Sequence, residues 1–161
     1  ALPATILIRD IFAKYFGMEV TTTPPANRAA ASPYDLLLRE CSTYAYDHAP
    51  LFESIIRHLE TDGVFVREAG EEHIWRFMGA PKHATNADFS RLIYLIFSEI
   101  IHPKKFQTED NAKLVPWRLV RSVFLDKHGN AFKDSVRTQW QYEGNTDAKT
   151  DFWRNKIASL L

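Results

Sequence analysis

The sequence predicts a mainly α fold: a compact bundle of about seven helices carrying one β-hairpin. Apolar residues recur at three- and four-residue spacings through most of the chain, the period of one helix face. The period shifts to that of strands in one region, between Val64 and Phe77. With 161 residues, 45% hydrophobic and 13% aromatic, the chain has enough apolar surface for one core, so residues 1–161 read as a single domain.

The first helix is expected over Pro3–Phe16, where Leu7, Ile8, Ile11, Phe12, Tyr15 and Phe16 form a wide stripe and Gly17 follows as a stop. Residues 17–33 read as a flexible linker, since Thr21-Thr22-Thr23-Pro24-Pro25 cannot hold a helix. Ser32-Pro33-Tyr34-Asp35 combines a cap residue, a proline for the first position and an acidic first turn. That helix is expected to run to Tyr46, broken by Asp47-His48-Ala49-Pro50. The next, Leu51–Glu60, places Leu51, Phe52, Ile55, Ile56 and Leu59 on one face before Asp62-Gly63. Val64–Val66 and Ile74–Phe77 form the hairpin, with its turn around Gly70.

Thr85 and Asp88 have capping-box spacing. They introduce the most apolar segment, Ala87–Ile101, expected as the central buried helix; its β-branched residues leave a strand open for Leu92–Phe97. His102-Pro103 closes it, and 104–113 reads as a polar loop. A helix from Leu114 or Pro116 to Phe124 turns Trp117, Val120, Val123 and Phe124 inward. After a turn at 127–130, another helix, Ala131–Tyr142, carries Phe132, Val136 and Trp140. Thr150-Asp151 is expected to cap a last helix with Phe152, Trp153, Ile157 and Leu160 as its apolar set.

Twenty basic and twenty acidic residues give zero net charge, so nothing draws the whole chain to nucleic acid or anionic lipid. The distribution is uneven. Ala1–Ile101 has 9 basic against 13 acidic residues, net −4; His102–Leu161 has 11 against 7, net +4. An anionic partner is therefore expected at the C-terminal part. Cys41 stands alone, so no intrachain disulfide forms, and it reads as a small buried hydrophobe. The apolar runs at Ala4–Ile8 and Leu92–Phe97 are too short to span a bilayer, and the expectation is a soluble, cytoplasmic protein without a membrane role.

Catalytic signatures are missing. The sequence has no glycine-rich phosphate loop, nucleophile elbow or kinase set. No two of the six histidines are spaced three or four apart and none neighbours a cysteine, so no metal site and no cofactor are expected. Glu99 reads as part of a polar strip with Ser98 and Arg91; as a buried carboxylate it would instead be a candidate acid or base. The expectation is a non-enzymatic domain.

Two segments resemble nucleic-acid readers in their order of elements. Tyr34–Phe77 reads helix, turn, helix, two-stranded wing, as in winged-helix domains. Its second helix exposes Glu53, Arg57, His58 and Glu60, and the wing tip carries Glu68, Glu71 and Glu72, which phosphate would repel. A protein-facing role suits this wing better. Pro116–Tyr142 has helix-turn-helix spacing and presents Lys133, Arg137, Thr138 and Gln141 opposite its apolar face. Arg and Gln can read base edges, while Lys and Thr can hold phosphates. With Lys104, Lys105, Arg118 and Arg121 they form the candidate nucleic-acid-binding set. The alternative is a purely protein-binding or self-assembling module that uses the first helix and its linker, with a protein partner or a homo-oligomer.

The stretches Trp75-Arg76-Phe77-Met78-Gly79 and Leu92–Phe97, the helix ending in Phe124, and the ending Lys149-Thr150-Asp151-Phe152-Trp153 with Ile157 and Leu160-Leu161 carry one resemblance. Together they resemble the C-terminal part of RteC-like proteins, helical regulators found on conjugative transposons of Bacteroidetes. The resemblance covers roughly the second half of the chain. It implies a DNA-linked regulatory role and assigns no residue to a task.

Overall fold

Capping chemistry sets where the helices begin. In the computed structural model, which describes residues 31–108, 114–139, 141 and 146–160, helix α1 (Pro33–Glu40) starts on a full capping box. Ser32 Oγ accepts from Asp35 N at 3.1 Å, and Asp35 Oδ2 accepts from Ser32 N at 3.3 Å. The helix expected over Pro3–Phe16 lies outside the described residues, as do most of the 17–33 linker, Lys113, Trp140 and Tyr142.

α1 stops at Glu40 rather than reaching Tyr46. Strands β1 (Ser42–Thr43) and β2 (Tyr46–Asp47) pair antiparallel instead, Ser42 opposite Asp47 and Thr43 opposite Tyr46. Local side chains account for the early end. Thr43 Oγ1 accepts from Ala45 N at 3.1 Å, and Ser42 Oγ donates to Asp47, giving the backbone an alternative to helix. Asp47 Oδ1 also accepts from Ala49 N at 3.0 Å, at the start of α2 (Ala49–Thr61). α2 buries Phe52, Ile55, Ile56 and Leu59, the face its spacing predicts.

β3 (Phe65–Arg67) and β4 (Trp75–Phe77) form the expected hairpin, with Phe65 opposite Phe77 and Arg67 opposite Trp75. A third strand joins it. β5 (Phe124–Leu125) runs parallel to β4, Trp75 beside Phe124, so β4 lies at the centre of a three-stranded sheet. The hairpin is thus not a free wing. Arg76 on β4 braces the hairpin's own turn, donating to Glu68 at 2.8 Å, and its guanidinium lies against the turn at Gly129.

α3 (Asn86–Leu95) begins on the predicted Thr85/Asp88 capping box and is buried almost all round. A π-helical segment (Ile96–Ile101) continues it, closed by His102 N donating to Phe97 O at 2.8 Å. The strand left open for Leu92–Phe97 is therefore helix. Where a polar loop is expected after residue 103, α4 (Pro103–Thr108) forms, with Pro103 in the favoured first position and Phe106 buried.

α5 (Trp117–Val123) buries Trp117, Val120 and Val123, and the chain then leaves it for β5. The helix expected over Ala131–Tyr142 starts later: residues 131–135 are not helical, and α6 (Val136–Gln139) is its α-helical part among the described residues. Phe132 is buried without a helix around it, stacked on Phe89 with ring centroids 4.2 Å apart. α7 (Thr146–Ala158) starts earlier than predicted, so Thr150 is inside the helix and does not cap it; Trp153 and Ile157 are buried as expected.

The described residues thus form a mainly α fold of seven α-helices and a π-helical segment with two small sheets. Phe65, Phe77, Phe89 and Phe124 pack together at the centre. Among the described residues no helix is long and apolar enough to cross a membrane.

Candidate functional site

α1 and α5 lie side by side, and their outward faces frame an open groove of about 410 Å³. Leu37 points into the core, which turns Leu36, Arg39 and Glu40 of α1 outward. On α5 the inward Trp117 and Val120 leave Arg118 and Leu119 toward the groove, with Pro116 at its end. Leu36 is 37% exposed, one of four large hydrophobic side chains on the surface among the described residues. Arg39 and Arg118 are both exposed, and neither forms an ion pair with a described residue. Two guanidiniums without carboxylate partners beside apolar side chains can take an anionic group and an apolar group together.

The predicted basic set is only partly brought together. Arg121 is half-buried; its Nε donates to Phe132 O at 2.9 Å, and its Nη1 lies 3.4 Å from Asp134. Arg137 reaches the same carboxylate at 3.8 Å. Lys133 is exposed next to it, Thr138 is half-buried and Gln141 is exposed. Arg118 belongs to the groove, while Lys104 and Lys105 are exposed on α4, a separate helix. The helix-turn-helix expected over Pro116–Tyr142 is not formed among the described residues, because α5 runs into a strand and residues 131–135 are not helical.

Glu99 is exposed and held by Arg154, whose Nε and Nη2 donate to it at 2.9 and 2.7 Å. A cavity of about 220 Å³ lies beside it, lined by Arg91, Tyr94, Leu95, Ser98, Thr150 and Arg154, without a histidine to complete an acid–base pair. Arg91 is not part of an exposed polar strip: it is buried, 3.9 Å from Asp88. Cys41 is buried, with its thiol pushed up to about 12 by burial and then by the Glu40 and Asp47 charges, so it is not a nucleophile. Among the described residues no three His, Cys, Asp or Glu side chains gather as metal ligands.

Two buried polar centres go beyond a reading by spacing, which gives Asp88 only its cap with Thr85 and not its bond to Trp153. Asp88 accepts from Trp153 Nε1 at 3.1 Å and from Thr85 N and Oγ1 at 3.0 and 2.8 Å. Burial pushes its carboxyl up, but these hydrogen bonds and Lys149 outweigh burial and hold it below its ordinary value. His102 donates from Nε2 to Glu40 O at 2.6 Å and accepts at Nδ1 from the Tyr46 hydroxyl. Arg39 was likewise missed; its signal is the 36, 39, 40 spacing, a face flanking the buried Leu37.

The chain matches no protein-family model, no curated protein and no solved structure.

Proposed function

We propose that the chain is a non-enzymatic interaction domain that works by binding a protein, in a regulatory setting of the kind the RteC-like resemblance implies. The observation that carries this reading is the α1–α5 groove, where the exposed Leu36 and the half-buried Pro116 and Leu119 occur with two guanidiniums that form no ion pair with a described residue. Three carboxylates elsewhere are held by arginines: Glu99 by Arg154, Glu68 by Arg76, and Glu60 by Arg67.

The second reading is nucleic-acid contact by the basic C-terminal part. Lys104, Lys105 and Lys133 favour it, being exposed and outside any ion pair with described residues. Two facts weigh against it: Arg121 and Arg137 share Asp134, and residues 131–135 are not helical. Titration of labelled duplex DNA at low salt separates the two readings. The protein-facing reading expects no saturable binding. Binding that falls steeply with salt and is weakened by Lys133→Ala with Arg137→Ala would establish the nucleic-acid reading instead.

A further inference from the structure

We infer that the α1–α5 groove receives an acidic, apolar segment of a partner protein, its carboxylates on Arg39 and Arg118 and its apolar side chains on Leu36, Pro116 and Leu119. The inference rests on the interaction reading above and adds the partner's chemistry. The groove's volume of about 410 Å³ holds a few side chains, not a folded domain. Its walls are two helices, and a groove of that form takes a short segment with regularly spaced apolar anchors.

Charge selects among occupants. Arg39 and Arg118 lack carboxylate partners among the described residues, and a guanidinium binds a carboxylate bidentately. Glu40 is the one acidic side chain in the lining. It repels a run of phosphates but tolerates a partner bearing one or two carboxylates between apolar residues. Three apolar side chains offer a phosphodiester backbone nothing, whereas they give aliphatic anchors a surface on which to lose water. A segment such as Leu-Asp-Phe-Leu-Glu satisfies both halves of the groove.

The test pans a phage-displayed random peptide pool against the full chain and against two variants, Arg39→Glu with Arg118→Glu, and Leu36→Asp. All three positions are exposed, and circular dichroism checks that the variants fold. The expected result is enrichment of peptides with Asp or Glu among Leu, Ile or Phe. Their affinity falls about tenfold or more in each variant, the change expected on losing a charge-assisted or anchoring contact. Enriched peptides lacking carboxylates, or binding equally to the charge-reversed variant, would overturn the groove's assignment while leaving the interaction reading in place. No enrichment, together with saturable DNA binding, would sink both. If light scattering shows that the wild type dimerises and Leu36→Asp does not, the occupant is a second copy and the assignment falls.

Discussion

His102 has no freedom in its protonation. A carbonyl can only accept, so the Nε2 that faces Glu40 O must carry the proton, and Nδ1 is left to accept from Tyr46. Charging the ring puts a second proton where the Tyr46 hydroxyl donates. Burial lowers the pKa first, and the Lys105 and His48 charges lower it further, while the Glu40 carbonyl and carboxylate oppose them; the net value lies below 6.5. The sign follows. Below 6.5 the unfolded chain binds a proton that the folded chain refuses, so stability is full above 6.5 and falls as the pH drops toward the folded value. Urea melts of the wild type should lose stability across that window by no more than about 1.4 kcal/mol per pH unit, the limit for one proton. His102→Gln should flatten the slope. Equal slopes in the two proteins would show that the ring is not the group responsible. None of this is legible in the sequence, where His102 reads only as part of a helix-closing dipeptide. Its partners are 62 and 56 residues away, and spacing carries no information over that range.

Helix starts are legible because their chemistry is local. Ser32 with Asp35 and Thr85 with Asp88 each satisfy their own backbone donors within four residues, and both caps form as read. Helix ends are less legible because tertiary contacts decide them. α5 gives way to β5 because Phe124 finds Trp75 on β4, a pairing no local pattern announces. The helix expected over Ala131–Tyr142 starts later because Phe132 is captured by Phe89, and its carbonyl by Arg121. The spacing that sets Lys133 on one face with Arg137, Thr138 and Gln141 assumes a helix from Ala131, and residues 131–135 are not helical. Arg118 alone of the predicted set falls in the groove. A loop gives a sharper test at this scale. Gly79 has φ of +71°, and a Cβ there would stand 2.5 Å from the His83 carbonyl oxygen and 2.6 Å from Ala84 Cα. Both are backbone atoms that cannot turn aside. Gly79→Ala is expected to destabilise the fold by at least about 2 kcal/mol, from the strained φ and the clash together. A denaturation midpoint unchanged from wild type would show that the loop can open at little cost.

The opposite charges of the two parts of the chain suggest, from sequence, an outward contrast that partners could read. Part of that contrast is used within the fold. α7, from the basic part, sends Arg154 to Glu99 and Lys156 to Asp62, carboxylates of the acidic part. It also brings Trp153 to Asp88 and stacks Phe152 on His83 at 3.8 Å. Magnitudes decide which contacts hold it. Arg154 and Lys156 are partly exposed, so each pair contributes about 0–1 kcal/mol and weakens with salt. Trp153 is fully buried, and its indole N–H reaches a carboxylate that no solvent touches. Trp153→Phe keeps most of the apolar contact but removes that donor, which should cost about 1–3 kcal/mol with little salt dependence. Arg154→Ala with Lys156→Ala should cost less, and its cost should shrink as salt rises. Thermal melts of both variants at low and high salt distinguish the contributions. If the double variant loses more than Trp153→Phe, charge complementarity, and not the buried indole–carboxylate bond, anchors the terminal helix.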